Sequence, residues 1–247
     1  MRQTLSGHSL DIDSLLTLPN NQLASSSWDT SIRIWNTTTG RHVRTLSGHT
    51  DKVYALVLLK NGFLASCSQD CTIRVWNYRE GRLVRSITDY NWIFVLAVLD
   101  NGELASGGAD TPIKIWNPND GSLVRILNGH YNYILSLVVL PNNRLASGSK
   151  DATIRIWDTT NGLLKHTLIG HTDEVLSICL LPNGHLVSSS KDTTIKIWAK
   201  KNTDDWELER NLTEHTDTVM SLAYLQNGNL ISGSFVGTFK IWKLKKD

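Results

Sequence analysis

The feature that most constrains this chain is a short segment that recurs six times along its length. The copies align without a gap and occupy residues 23–36, 64–77, 104–117, 145–158, 186–199 and 230–243. The first copy reads LASSSWDTSIRIWN, and the Trp near the end of each copy recurs at intervals of 40 to 44 residues. A period in this range indicates a repeat architecture, in which each unit buries its apolar surface against its neighbours.

The pattern within one repeat is that of β-strands. In residues 145–158, a Leu-Ala-Ser run is followed by a polar turn, and residues 153–157 then alternate polar and apolar side chains. Upstream, the apolar run 134–140 ends in Pro-Asn-Asn, where other repeats have Lys-Asn-Gly or Pro-Asn-Gly. Asn and Gly supply the positive φ angles of tight hairpins. With one further short strand after the Trp, each repeat predicts four strands and no helix.

Composition argues against several classes of protein. Hydrophobic residues make up 40% and charged residues 19% of the 247 residues, which provides for a large core. The formal net charge is only +2, which does not favour a dedicated nucleic-acid binder. The apolar runs are much shorter than the roughly 20 residues that span a bilayer, so we expect no membrane segment. Three cysteines, with no secretory signal at the N-terminus, predict a cytoplasmic or nuclear protein.

A more specific pattern surrounds the repeated segment. Gly-His pairs precede it at residues 48–49, 129–130 and 170–171, a Ser-x-x-x-Asp motif lies within it, and Trp-Asp or Trp-Asn ends several copies. With these motifs in phase over nearly the whole chain, the sequence resembles the WD-repeat (beta-transducin-like) family. The resemblance implies one all-β domain over residues 1–247, a six-bladed β-propeller of four-stranded antiparallel blades, with residues 2–5 completing the last blade. The alternative is part of a seven-bladed ring.

Four repeats carry a His, a Ser, an Asp and a Trp at matching positions. The sets are His8, Ser25, Asp29 and Trp35; His49, Ser66, Asp70 and Trp76; His130, Ser147, Asp151 and Trp157; and His171, Ser188, Asp192 and Trp198. The first three residue types also form the catalytic triad of hydrolases. Because an enzyme needs one site and not four evenly spaced copies, we interpret the sets as structural, with hydrolysis as a remote alternative. The family resemblance implies a hydrogen-bonded network within each blade, which fills the acceptor sites of a buried carboxylate.

The other two repeats depart from this pattern. In the third repeat, Asp89 occupies the His position and faces Asp110 with no donor between them, so we predict that repulsion remodels this loop. In the sixth repeat, His215 is present but Val236 occupies the Asp position. The last blade therefore lacks its internal tie, and we expect it to be the first to open.

The family resemblance also implies which side chains lie on the top face, the rim that carries the His and Asp loops. Aromatic and large apolar residues are over-represented among these positions. They are Trp28, Tyr54, Trp92, Phe94, Tyr131, Tyr133, Leu135, Met220 and Phe235. Rigid aromatic side chains are frequent anchors of protein recognition. The alternative is that Phe94 and Leu135 fill the channel and that Trp92 covers the loop disturbed by Asp89.

Charged residues contribute smaller signals. On the same rim, Asp11 and Asp13 in the first repeat and Lys150 and Lys191 in later repeats form a polarity that would orient a charged peptide, or a solvated rim. Basic residues also recur in the third strand of each repeat, at positions that we interpret as outward and solvated. These are Arg33, Arg74, Lys114, Arg155, Lys196 and Lys240.

Two local features complete the sequence. Cys67 and Cys71 form a C-x-x-x-C pattern without a second ligand pair, so we expect no zinc site. An insertion at residues 202–207 predicts a longer loop that exposes acidic residues around Trp206, as a second contact surface.

Together these observations predict a non-enzymatic scaffold or adaptor that binds peptide or protein segments on its top face. We expect a monomer without cofactor or metal, and neither a nucleic-acid nor a membrane partner. The alternative is a repeat or sensor domain that belongs to a larger multidomain signalling protein.

Overall fold

The chain is built from strands. The computed structural model describes residues 4–202 and 205–244, and in these ranges there are 23 strands and no helix. The strands form six antiparallel sheets, one for each repeat, which confirms the predicted all-β, six-bladed β-propeller fold. The chain divides into two compact units, one ending at Ile126 and the other beginning at Leu127.

Three four-stranded sheets belong to the first unit. Sheet 1 contains β1 Ile12–Leu18, β2 Gln22–Ser27, β3 Ile32–Asn36 and β4 His42–Leu46. Sheet 2 contains β5 Val53–Leu58, β6 Leu64–Ser68, β7 Thr72–Asn77 and β8 Arg82–Thr88. Sheet 3 contains β9 Ile93–Val98, β10 Leu104–Gly108, β11 Ile113–Trp116 and β12 Leu123–Leu127. In each sheet the strands lie side by side in chain order, as the hairpin pattern predicts.

The second unit contains the remaining three sheets. Sheet 4 contains β13 Ile134–Leu140, β14 Arg144–Ser149, β15 Thr153–Asp158 and β16 Leu164–Ile169. Sheet 5 contains β17 Val175–Leu180, β18 Leu186–Ser190, β19 Ile195–Asn202 and β20 Asp205–Leu212. Sheet 6 contains β21 Val219–Tyr224, β22 Asn229–Ser234 and β23 Phe239–Lys243, so it has three strands among the described residues.

The predicted closing strand at residues 2–5 falls at the edge of the described chain. Residues 2 and 3 lie outside the described residues, and Thr4 and Leu5 belong to no strand. Completion of the last blade by this segment therefore stays a prediction.

The tight turn before the third strand requires a positive φ angle. In sheet 4 this turn places Ala152 at φ 65°, a left-handed conformation that disfavours an L-residue by about 1–2 kcal/mol. The preceding Asp151 compensates locally, because its Oδ1 accepts hydrogen bonds from Thr153 N at 3.0 Å and from Thr153 Oγ1 at 2.6 Å. The Asp of the repeat therefore stabilises the turn through one carboxylate oxygen and bonds the His through the other.

Neighbouring sheets within a unit pack through a recurring pair of faces. We define the leading face of a sheet by two apolar residues of its first strand, and the trailing face by two apolar residues of its third strand. Trailing and leading pairs that share a core cluster are Ile32 and Ile34 with Val53 and Leu56, Ile73 and Val75 with Ile93 and Leu96, Ile154 and Ile156 with Val175 and Ile178, and Ile195 and Ile197 with Val219 and Leu222. This packing supplies the core that a single repeat lacks.

The predicted loop at residues 202–207 falls partly outside the described residues, which omit residues 203 and 204, and Asp205 and Glu207 are exposed as predicted. Strands β19 and β20 extend into it as a hairpin, with Lys200 opposite Trp206. Trp206 is half-buried and packs against the core cluster that contains Leu140 and Leu186. Trp206 thus contributes to packing because an apolar surface of sheets 4 and 5 lies within its reach, which the local acidic composition does not reveal.

Candidate interaction site

The His loop and the Asp turn of a repeat are joined by a buried network. In sheet 2, His49 Nδ1 lies 2.7 Å from Asp70 Oδ2, and His49 Nε2 lies 2.7 Å from Ser66 Oγ. Trp76 Nε1 donates to the same Ser66 Oγ at 2.8 Å. With the Nδ1 proton donated to the carboxylate, Nε2 accepts from the Ser hydroxyl, and every polar atom in the chain of bonds has a partner.

Protonation in this network follows from burial and hydrogen bonding. Burial acts to raise the pKa of Asp70, but hydrogen bonds from His49 and Thr72 outweigh it and hold the pKa well below its usual range. Burial lowers the pKa of His49 in spite of the neighbouring carboxylate. A neutral imidazole beside an ionised carboxylate is therefore the state of the folded protein at neutral pH.

The same geometry occurs in the other three predicted sets. The distance from His Nδ1 to Asp Oδ2 is 2.8 Å for His8 and Asp29, and it is 2.7 Å for His130 and Asp151 and for His171 and Asp192. In each set His Nε2 lies 2.7 Å from the Ser Oγ, and Trp Nε1 donates to that Oγ at 2.8 Å. Every Ser of the four sets is at most 2% exposed, so a substrate in solution has no access to the hydroxyl. The geometry suits a structural tie between two loops.

In the third repeat, which has Asp89 at the His position, a lysine supplies the missing hydrogen-bond donor, and the sequence analysis did not predict this. The ammonium of Lys114 lies between the two carboxylates, bonded to Asp89 Oδ1 and, at 2.8 Å, to Asp110 Oδ2. Burial acts to lower the pKa of Lys114, but the bonds to Asp110 and Asp89 raise it above its ordinary value. The predicted repulsion between Asp89 and Asp110 is wrong, because Lys114 supplies the donor that His supplies elsewhere.

The third loop still differs from its neighbours at one point. A Cβ added to Gly108 would lie 1.9 Å from the carbonyl oxygen of Trp92. The matching residue in other repeats is a serine, and Ser68 Oγ donates to the carbonyl of Asp51 at 3.0 Å. Glycine at position 108 thus lets the backbone that carries Trp92 approach the sheet closely.

The sixth repeat retains half of the network. His215 Nε2 lies 2.7 Å from Ser232 Oγ, and Trp242 Nε1 donates to that oxygen at 2.8 Å. Val236, at the Asp position, is 58% exposed and offers no acceptor. Gly237 follows at φ 79°, so the turn in this repeat forms without the help of a carboxylate.

Three of the six recurring basic residues of the third strands are buried, where the sequence predicted solvated side chains, and Arg33, Arg74 and Lys240 are partly exposed. Lys114, Arg155 and Lys196 are only 5–8% exposed. A Cβ added to Gly48 would lie 2.8 Å from Arg74 Nη1 and 3.1 Å from Trp76 Cη2. The Gly of each Gly-His pair folds over the basic side chain and the Trp, which buries a strand position that would face water in an isolated sheet.

Aromatic residues occupy the top loops of the first unit. We define the top loops as the His loops, the Asp turns and the first two residues of the strand that follows each His loop. Trp92 is 45% exposed, whereas Tyr54 and Phe94 are half-buried and meet edge to face at 5.2 Å. Trp28 is also half-buried: its indole N–H donates to Asp13, and Lys52 Nζ lies 3.8 Å above its ring. Trp28, Tyr54 and Phe94 thus have packing partners within the fold, and Trp92 projects further into solvent.

Tyr90 is an exposed aromatic residue that the sequence interpretation missed. It is 95% exposed and directly follows Asp89 in the third His loop. Its position in the repeat matches that of Tyr131, which follows His130. Alignment of the repeats could therefore have identified Tyr90 as a top-loop residue.

The top loops of the second unit carry a comparable set. Tyr131 is 82%, Tyr133 39%, Met220 45% and Phe235 74% exposed, and Leu135 is half-buried. The guanidinium of Arg155 lies 5.3 Å from the centre of the Tyr131 ring. Most of the predicted contact residues of this unit are therefore accessible to a partner.

The predicted positive charge of this rim is reduced by an acidic residue. Glu174 Oε1 lies 3.0 Å from Lys150 Nζ and 3.4 Å from Lys191 Nζ. One carboxylate thus serves both ammonium groups, and the aromatic side chains dominate the chemistry of these loops.

Other kinds of site are not evident in the described ranges. Over residues 4–202 and 205–244, no cluster of three or more His, Cys, Asp or Glu side chains is arranged to hold a metal ion. Likewise, the described part of the chain has no helix with the length and hydropathy to cross a membrane.

Comparison with known proteins gives one family match. The family model described as "WD domain, G-beta repeat" matches residues 1–36, 40–77, 121–158, 162–199 and 206–243. The matches leave out residues 78–120, the repeat in which Asp89 and Lys114 replace the usual His network. A search of curated proteins found no match to the chain.

Proposed function

Because this chain belongs to the WD-repeat family, whose β-propellers are generally protein-interaction scaffolds, we propose that it is a non-enzymatic scaffold that binds segments of other proteins through its top loops. The observation that carries the proposal is the exposure of Tyr90, Trp92, Tyr131 and Phe235 in those loops. Aromatic side chains bury a large area with little loss of conformational entropy, and they are enriched among residues that dominate binding energy.

The loops that hold these side chains are anchored to the buried networks. Tyr131 N donates to Asp151 Oδ2 at 3.0 Å, and that oxygen also accepts from His130. Tyr90 N donates to Asp89 Oδ1 at 2.7 Å, next to Lys114. A partner therefore meets side chains whose backbone is already fixed, and preorganisation of this kind favours affinity.

The burial of the His, Ser and Asp sets supports a non-enzymatic role. Ser66 is fully buried and its hydroxyl is already engaged with His49 and Trp76. The unpaired thiols Cys67, Cys71 and Cys179 are typical of a reducing compartment, and we place the protein in the cytoplasm or nucleus on that ground.

Affinity capture with matched variants tests the proposal. One variant, Tyr131→Ala/Tyr133→Ala, removes top-loop anchors of the second unit, and Tyr90→Ala/Trp92→Ala does so in the first. Tyr224→Ala is the control, since Tyr224 is 36% exposed but lies at the end of β21 outside the top loops. We expect partners that bind the wild type and the control to be lost from at least one double variant. Equal recovery of all partners by both double variants, with folding intact, would contradict the proposal.

A further inference from the structure

The loops that follow the third strands of sheets 2 and 3 have the same backbone geometry. In sheet 2 the loop runs from Asn77 to Gly81, where Gly81 N donates to Asn77 O at 2.8 Å and Gly81 has φ 78°. In sheet 3 the loop runs from Asn117 to Gly121, where Gly121 N donates to Asn117 O at 2.8 Å and Gly121 has φ 81°. A difference in packing between the two loops therefore comes from their side chains.

In sheet 2 the second residue of this loop is Tyr78, which fills the space next to sheet 1. Tyr78 is 2% exposed and belongs to the core cluster that contains Leu18, the last residue of β1. The guanidinium of Arg79 lies 5.0 Å from the centre of the Tyr78 ring. The ring thus closes the gap between sheets 1 and 2 at the ends opposite the top loops.

The matching space between sheets 2 and 3 is a cleft. Pro118 holds the loop position of Tyr78, and Leu59 holds the position of Leu18. Both residues line a cleft of about 380 Å³. Because proline has no ring that reaches beyond the loop, the loop of sheet 3 leaves this space unfilled. The residues that line the cleft all belong to sheets 2 and 3, within one compact unit of the chain.

The lining of the cleft combines apolar surface with hydrogen-bonding groups. Apolar surface comes from Leu59 and Val124, and hydrogen-bonding groups come from Asn101, Asn119 and Glu103. A tyrosine side chain has the same combination, since its ring is apolar and its hydroxyl both donates and accepts. The chemistry of the cleft therefore suits a phenol ring better than an aliphatic side chain.

We propose that this cleft binds a tyrosine side chain of a partner protein, in the place that Tyr78 takes between sheets 1 and 2. The cleft lies at the ends of the strands opposite the top loops, so the proposal does not rest on binding by those loops. One aromatic side chain buries about 150–250 Å². A blocked tyrosine alone should therefore bind weakly, with a dissociation constant of about 0.1–1 mM.

NMR chemical-shift mapping with two blocked amino acids tests the proposal on the purified protein. N-acetyl-tyrosinamide is the probe, and N-acetyl-leucinamide is the comparison without a ring. We expect the tyrosine probe to shift the backbone amide signals of Gly102 and Asn119, which line the cleft, in a saturable way. The leucine probe should bind about fivefold more weakly, or weaker still, because it lacks the ring and the hydroxyl.

Pro118→Tyr is the decisive variant, because it gives the loop of sheet 3 the residue that fills the matching space in sheet 2. It should weaken binding of the tyrosine probe by about tenfold or more. Thr39→Tyr, which adds the same residue to an exposed loop of sheet 1, should bind the probe like the wild type. If Pro118→Tyr loses its circular dichroism signal, Val124→Lys replaces it, at a position that lines the cleft and is 41% exposed.

Three results would each overturn the proposal. One is that the tyrosine probe gives no saturable shift at the cleft residues at concentrations well above the expected dissociation constant. Another is that the leucine probe binds as tightly as the tyrosine probe. The third is that the folded cleft variant binds the tyrosine probe like the wild type.

Discussion

Replacement of Lys114 by Met probes how the third repeat holds together without a His. Lys114 bonds Asp89 and Asp110, whose side chains are 7% and 33% exposed. Removal of one partner from a buried ion pair typically destabilises a protein by about 3–5 kcal/mol, since the other charge stays buried and unpaired. Because Asp110 can regain water, we expect Lys114→Met to lower the free energy of unfolding by about 3 kcal/mol, at the low end of that range.

A matched control and a rescue variant make this prediction specific. Lys196 holds the same strand position in the fifth repeat and is 5% exposed, but it bonds the neutral Asn211 at 3.0 Å. Lys196→Met should therefore lower the free energy of unfolding by only about 1 kcal/mol. In Asp89→Asn/Lys114→Met the buried charge is gone, and we expect at least half of the loss to be recovered.

The measurement is urea unfolding monitored by tryptophan fluorescence, with the slope compared among variants so that midpoints report stability. The reasoning is refuted if Lys114→Met is no more destabilising than Lys196→Met, or if the double variant is as unstable as Lys114→Met alone.

Three further predictions concern the repeats. Burial lowers the pKa of His49 below its ordinary value of 6.5, so the unfolded chain binds a proton that the folded chain does not. Stability should therefore fall below about pH 6.5 with a slope of up to about 1.4 kcal/mol per pH unit from this residue, and urea midpoints of His49→Gln should show a shallower pH dependence. Ser66→Ala should lower the free energy of unfolding by about 1–3 kcal/mol, because it leaves the buried ring nitrogens of His49 and Trp76 without their partner. An unchanged urea midpoint would argue against the structural role. Ala152→Gly should stabilise the protein by up to about 1 kcal/mol and Gly237→Ala should destabilise it by about 1–2 kcal/mol, as measured by thermal unfolding, since both residues have positive φ; the opposite signs would refute the strain argument.

The strands could be predicted because each depends on residues close in sequence and the pattern recurs in every repeat, whereas the four complete networks were implied by the resemblance to the WD-repeat family. The partner of Asp89 could not be predicted in the same way. Lys114 alternates with apolar residues, as an outward side chain of an isolated strand does, and its burial beside Asp89 and Asp110 depends on how the preceding loop folds over the strand.

The exposure of individual aromatic residues was also beyond the sequence. Tyr54 and Phe94 were predicted as contact residues together with Trp92, yet they pack on each other, because that depends on the distance between strands of neighbouring sheets.

The backbone and the side chain of the residue after each His have separate roles. In the four complete networks its backbone N–H donates to the Asp, at Ser9, Thr50, Tyr131 and Thr172, while its side chain points into solvent. Since the loop is held by a main-chain bond that every residue except proline can make, these four positions can be exchanged without loss of the tie. The side chains at these four positions could therefore be replaced to introduce a new binding specificity, while the buried residues of the networks stay unchanged.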